Sequence, residues 1–305
     1  MINIFLEELK NYIRTFSLTQ GLLLVAFASL SVGLNHYYHI ENQFNQLDFW
    51  PSLICFFLMY AIHVYVGLFI VLPNINLRGI KAQWRMHLLW LLACLLFAFR
   101  ACFTYHGVWI EAVFGGEQAL LKFRVFNNVF RALYCIVPVF VIWLVHESDH
   151  QHFYGLKSLK SQYKLYAYML LAMMPLIALA SCSQSFISYY PRANKVLEVG
   201  GSWLDLCLYE LFYGLDFVSI ELFFRGFMVI AFIRYVGIYA VLPMSLMYMS
   251  IHYGKPTGEA ISSFFGGSLL GVLSFYSQSI LGGVFVHIGI AWGMEIGASI
   301  AHAYK

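Results

Sequence analysis

Nine apolar runs leave this chain little choice of fold. A helix that spans a bilayer needs roughly 20 mostly apolar residues, and such runs occupy about 19–36, 51–73, 86–105, 126–146, 165–183, 203–233, 238–254, 260–277 and 280–301. Isolated strands cannot satisfy their backbone in lipid, so runs this long and continuous point to helices. With 61% hydrophobic and only 11% charged residues among 305, the composition excludes an ordinary soluble domain. The expected fold is all-α, a polytopic transmembrane helical bundle of about eight or nine spans.

The first eighteen residues interleave Glu7, Glu8, Lys10 and Arg14 with Ile4, Phe5, Leu6, Tyr12, Ile13 and Phe16, which predicts an amphipathic helix lying on the membrane surface. The run that follows lacks a small-residue cleavage site and leads into a polar loop, so it reads as an anchor. If the spans alternate, Lys10, Arg14, Arg78, Lys81, Arg85, Lys157, Lys160, Lys164 and Arg234 share one side. The positive-inside rule makes that side, and the N-terminus with it, cytoplasmic; in a bacterium the membrane is the plasma membrane. A net charge of +3 gives no ground for nucleic acid as a partner. Cys55, Cys94, Cys102, Cys135, Cys182 and Cys207 have no paired spacing and are expected to be small buried apolar residues.

Ionisable side chains inside spans are costly and mark functional sites by default. In the first five spans these are mainly His63, Arg100 and Arg131. Snorkelling to the interface is expected for the two arginines, the sharper alternative being that they hold Asp205 or Glu210. The loop from His146 to His152 is rich in metal-ligand residue types but reads as a solvated connector. The sixth span then carries Asp205, Glu210, Asp216, Glu221 and Arg225. At (i, i+4) spacing Glu221 and Arg225 lie one turn apart and can neutralise each other; Asp216 shares the other face, that of Ile220. A polar break at Arg234 to Gly237 predicts a hairpin turning near Val236. Glu221 precedes that turn by 15 residues and His252 follows it by 16, which at ~1.5 Å per residue sets both about 22 to 24 Å from the turn. Pro256 ends the helix just beyond His252, leaving Lys255 and Glu259 nearby. The last two spans carry small residues every fourth position, Ser263, Gly267 and Gly271, then Gly289, Gly293 and Gly297, as close helix packing in lipid requires. The ninth span also holds His287 and, two turns on, Glu295.

One buried carboxylate, one arginine and two histidines on three late spans suit general acid–base chemistry on a carbonyl, with one histidine helping to activate water and another stabilising the oxyanion. The arrangement resembles the CAAX-protease and bacteriocin-processing (CPBP, or Abi) intramembrane proteases, whose members show Glu-Glu-x-x-x-Arg, then Phe-x-x-x-His, then His-x-x-x-Asn on late helices. Here the motifs read Ile220-Glu221-Leu222-Phe223-Phe224-Arg225, Tyr248-Met249-Ser250-Ile251-His252 and His287-Ile288-Gly289-Ile290-Ala291. The resemblance covers about residues 203 to 300. Ile220 stands where the family's water-activating glutamate is expected, and Ala291 where its oxyanion-assisting asparagine is.

The resemblance implies an intramembrane endopeptidase hydrolysing a membrane-embedded or lipidated peptide, with Glu221, Arg225, His252 and His287 in its site and Asp216, Glu259 and Glu295 as substitute carboxylates. It divides the chain into a surface helix over 1–18, a five-span region over 19–200 and a family-like core over 201–305. No cofactor is required on the glutamate-type mechanism, although His252, His287 and a carboxylate can hold zinc. The missing glutamate and asparagine keep a non-catalytic relative, binding a membrane peptide or partner, as the alternative. A proton-coupled transporter, which also uses intramembrane Asp, Glu and His, is the third.

Overall fold

The computed structural model describes residues 2–75, 79–146, 152–159 and 163–304. In chain order the helices are α1 (Ile2–Arg14), α2 (Leu18–Tyr38), α3 (Ile40–Asn45), α4 (Phe49–Val71), α5 (Gly79–Cys102), α6 (His106–Phe114), α7 (Gly116–His146), α8 (Tyr163–Ala180), α9 (Gln184–Ile187), α10 (Asn194–Leu197) and α11 (Trp203–Glu221). A π-helical turn over Leu222–Phe227 follows, and then α12 (Ile233–Val236), α13 (Val241–Ser250), α14 (Thr257–Ser277) and α15 (Leu281–Ala303). No strand occurs among the described residues. Among the described residues, eight stretches are long and apolar enough to cross a membrane, with Trp203–Ser250 counted as one run of 48 residues. Leu22, Val25, Trp50, Phe69, Leu179 and Phe265 are among the large apolar side chains left exposed, as lipid-facing residues are. This is an integral, multi-pass membrane protein.

The chain forms two compact units. The first comprises Met1–Cys102, Val139–Ser158 and Leu222–Ile280. Its centre is α13, all ten residues of which are buried. Small residues on its neighbours bring them close: a Cβ on Gly67 of α4 would lie 2.6 Å from Pro243 Cα, and one on Gly267 of α14 would lie 2.9 Å from the Tyr248 ring. A Cβ on Gly271 would lie 2.7 Å from Met244 Cε. The first is a backbone approach that any larger residue would block; the other two bring the helix backbone onto side chains of α13. The N-terminal helix turns Phe5 and Tyr12 inward while Ile4, Leu6 and Ile13 stay exposed, and it packs on α14. Ser17 and Gln20 then close a capping box that starts α2, and Gln20 donates to Ile70 O at 2.6 Å.

One short segment of this unit does not behave as a connector. Phe153–Gly155 folds back so that Tyr154 is buried and its carbonyl oxygen would lie 2.7 Å from a Cβ on Gly226. Gly155 O accepts from Ile280 N at 3.0 Å, and Lys157 O accepts from Ser279 Oγ at 2.7 Å. Of the expected solvated loop, Glu147 to Gln151 lie outside the described residues, and His152 is exposed.

The second unit comprises Phe103–Pro138, Leu159–Glu221 and Leu281–Lys305. Here α15 lies on α8 along its glycine ridge: a Cβ on Gly289 would meet Leu170 at 2.5 Å, on Gly293 Ile177 at 3.2 Å, and on Gly297 Ser181 Oγ at 2.7 Å. α7 and α11 are joined by polar pairs at two levels, Lys122 Nζ to Asp205 at 2.9 Å and Arg131 Nε to Asp216 at 4.0 Å. Between them Phe126 stacks on Phe212 at 5.5 Å.

Two expectations about isolated side chains need correcting. Arg100 does not snorkel: it is 3% exposed, with its guanidinium 5.0 Å from the centre of the Phe97 ring, where the π face substitutes for water. Of the cysteines, all free, Cys94 and Cys135 are buried, but Cys182 and Cys207 are exposed.

Candidate active site

Glu221 is the last residue of α11, and beyond it the winding changes. Met228 N donates to Phe223 O, five residues back, at 2.9 Å, the hydrogen-bond step of a π turn, a feature common at functional sites. The expected uninterrupted helix over 203–233 is therefore broken at the motif itself. The chain continues through a 3-10 turn over Ile230–Phe232 and α12, then Gly237 at φ +60° opens another 3-10 turn over Gly237–Ala240. A rise of ~1.5 Å per residue does not hold across such a stretch, so the hairpin arithmetic relating Glu221 to His252 loses its basis.

The four motif residues fall two in each unit. In the second, Glu221 Oε1 lies 2.8 Å from His287 Nδ1. The carboxylate is wholly buried, and the imidazole keeps 13% of its side-chain surface. Two features of sequence make the pair fit. Gly283, one turn before His287, leaves the space the carboxylate fills: a Cβ there would collide with Glu221 Oε2 and lie 3.1 Å from its Cδ. Phe217, one turn before Glu221, packs its ring 4.4 Å from the imidazole centroid. Neither residue stands out in the sequence reading, although both sit at (i, i−4) from a motif residue, where one face of a helix repeats.

In the first unit, Arg225 and His252 both meet Tyr248. The fully buried Arg225 guanidinium lies 4.3 Å from the centre of the Tyr248 ring. The His252 ring, 7% exposed as a residue, stands edge-on to the same tyrosine at 4.7 Å, and its Nδ1 is 2.8 Å from Tyr248 O. A carbonyl oxygen only accepts, so Nδ1 carries the proton and Nε2 the lone pair. Gly226 follows Arg225 because its missing side chain admits the Tyr154 carbonyl.

The substitute carboxylates are each engaged by neighbours. Asp216 Oδ1 accepts from Ser219 Oγ at 3.1 Å, with Arg131 at 4.0 Å on its other oxygen. Glu259 holds Lys255 at 2.6 Å. Glu295 accepts the backbone N–H groups of Arg192 and Ala193, both at 3.0 Å. The two motif departures are buried: Ile220 is 6% exposed, and Ala291 packs with Leu121, Val125, Tyr209 and Tyr213. As for zinc, among the described residues no three His, Cys, Asp or Glu side chains converge as a ligand set. Protein sites for that ion supply at least three ligands, and no step below runs through a metal.

An all-helical membrane protein with a buried glutamate hydrogen-bonded to a histidine is thus the class that fold and site define. Residues 203–293 match the family model described as type II CAAX prenyl endopeptidase Rce1-like. Over that segment, about a third of the chain, the protein is similar to the CPBP family of CAAX-protease-like intramembrane proteases. Comparison with curated proteins gives no match, and neither does comparison with solved structures.

Proposed function

We propose that this protein hydrolyses a membrane-associated peptide, with Glu221 and His287 acting together as the base. The observation that carries the proposal is the 2.8 Å bond between Glu221 Oε1 and His287 Nδ1. An ionised carboxylate only accepts, so Nδ1 donates the proton and Nε2 carries the lone pair. Nε2 takes a proton from water as the water oxygen attacks the scissile carbonyl carbon. Glu221 stabilises the imidazolium that forms, and the imidazolium returns the proton to the departing amine as the C–N bond breaks. This role differs from the sequence expectation, in which His252 and a carboxylate are the base and His287 serves the oxyanion. Arg225 and His252 enter through the motifs they match, a lipidated peptide through the family's printed name, and a bilayer-embedded one through the protein's place in the membrane.

A second reading has its own support. Ile220 and Ala291 carry no acid, base or hydrogen-bond donor at two family positions, as in a relative that binds a peptide without cutting it. Purified protein in lipid nanodiscs, offered a library of prenylated and transmembrane peptides, separates the two. Cleavage lost in Glu221→Gln and in His287→Ala supports the peptidase. Cleavage unchanged in both removes these residues from the chemistry, and peptide binding without cleavage in the wild type supports the binder.

A further inference from the structure

We propose that His63 is a positioning residue for His252, acting through the hydroxyl of Tyr253. The inference rests on the reading that His252 takes part in hydrolysis, and all the residues involved lie in the first unit. His63 sits in the interior of α4 and is 4% exposed. Its Nδ1 is 2.7 Å from Met59 O; a carbonyl cannot donate, so the proton is on Nδ1 and the lone pair on Nε2. The Tyr253 hydroxyl, 2.7 Å from Nε2, therefore donates to it. A buried tautomer fixed from one side thus dictates the direction of the bond on the other.

The other end of Tyr253 is held as well. Its carbonyl accepts from Asn35 Nδ2 at 3.0 Å, and Asn35 Oδ1 in turn accepts the N–H of Glu41 at 3.0 Å. Tyr253 is consequently pinned by α4 at its side chain and by α2 at its backbone. These tethers matter because α13 ends at Ser250, and residues 251–254 form a turn beyond it. Within that turn His252 N and Tyr253 N bond back only three residues, to Met249 O at 3.0 Å and Ser250 O at 3.3 Å. Such a turn has less backbone restraint than a helix interior, so the neighbouring residue's tether, together with the Nδ1 bond to Tyr248 O, sets where the His252 ring stands.

For a reacting group, misplacement by about 1 Å can cost on the order of a hundredfold in rate. The experiment uses the full chain in lipid nanodiscs and compares Tyr253→Phe, His63→Leu and His63→Gln, the last keeping an acceptor for the tyrosine hydroxyl. The expected result with a peptide the wild type cleaves is a fall in kcat of about 10- to 100-fold for Tyr253→Phe and His63→Leu. KM holds, the thermal midpoint falls only by what one lost buried hydrogen bond accounts for, and His63→Gln recovers most of the rate. A second readout is independent of catalysis: amide hydrogen exchange across 251–254 should speed up in Tyr253→Phe while α13 is unchanged. Unchanged kcat in both Tyr253→Phe and His63→Leu, or unchanged exchange across 251–254, overturns the proposal. If no peptide is cleaved by the wild type, it is the peptidase reading that fails, and the exchange measurement still decides whether the tether exists.

Discussion

Replacing Gly283 by alanine sets two physical effects against each other at the Glu221–His287 pair. In a helix interior, alanine is favoured over glycine by about 1 kcal/mol, so propensity alone predicts that Gly283→Ala stabilises α15. The structure predicts the reverse, because the new methyl group would occupy the space of Glu221 Oε2. Overpacking of this kind costs about 1–3 kcal/mol. Displacing the carboxylate also gives up a hydrogen bond between a charged group and the imidazole, about 1.5–3 kcal/mol. The sum less the propensity gain is a net loss of about 1.5–5 kcal/mol. Because the displaced group is half of the proposed base, turnover should fall further than stability does, by about 10²- to 10⁴-fold, the usual worth of positioned general-base catalysis. Thermal unfolding of the protein in detergent gives the first quantity, and peptide cleavage per folded molecule gives the second. A Gly283→Ala protein that melts higher than wild type and keeps its activity would show that the carboxylate does not sit against this face of α15.

Ala291→Asn restores the family's residue on paper, but Ala291 is packed among apolar and aromatic side chains. An amide there should cost about 1–3 kcal/mol as an unsatisfied buried group and leave turnover no faster, a result that a rise in kcat would refute. Glu295→Gln turns one acceptor toward the N–H groups of Arg192 and Ala193 into a donor. It should lower stability by about 1–3 kcal/mol, and a loss of turnover beyond the loss of folded protein would return Glu295 to the chemistry. Lys122→Met removes a partly exposed ion pair with Asp205, so its effect on the unfolding free energy should stay below about 1 kcal/mol.

The fold class is legible in the sequence because lipid imposes length and apolarity on every span, and both can be counted. The glycine ridges are legible for a related reason. A four-residue spacing of small residues has little use other than close approach, and Gly267, Gly271, Gly289, Gly293 and Gly297 all meet a neighbouring helix. The Glu221–His287 bond is the part of the candidate site that the sequence does not announce. Spacing suggests Arg225 for Glu221 and hairpin counting suggests His252; neither points to the bond with His287, 66 residues along the chain. The count assumes regular winding, and the π turn at Leu222–Phe227 departs from it. In a stretch that is apolar on all sides, hydrophobic periodicity carries no phase by which a change of winding could be seen. Asp216, Glu259 and Glu295 show a matching difficulty: the hydroxyl, ammonium or backbone N–H groups that engage each carboxylate are not written in its own spacing.

The backfolded segment Phe153–Gly155 has a practical consequence for anyone mapping which side of the membrane each connection faces. Such maps are made by splicing epitopes or reporter domains into the links between spans, on the premise that links tolerate cargo. Residues 153–158 break that premise. Tyr154 and Gly155 are buried, and the carbonyls of Gly155 and Lys157 are in use by Ile280 and Ser279. Cargo placed there would lever Tyr154 off Gly226, beside the arginine of the first motif, and yield an inactive fusion even where the topology is correct.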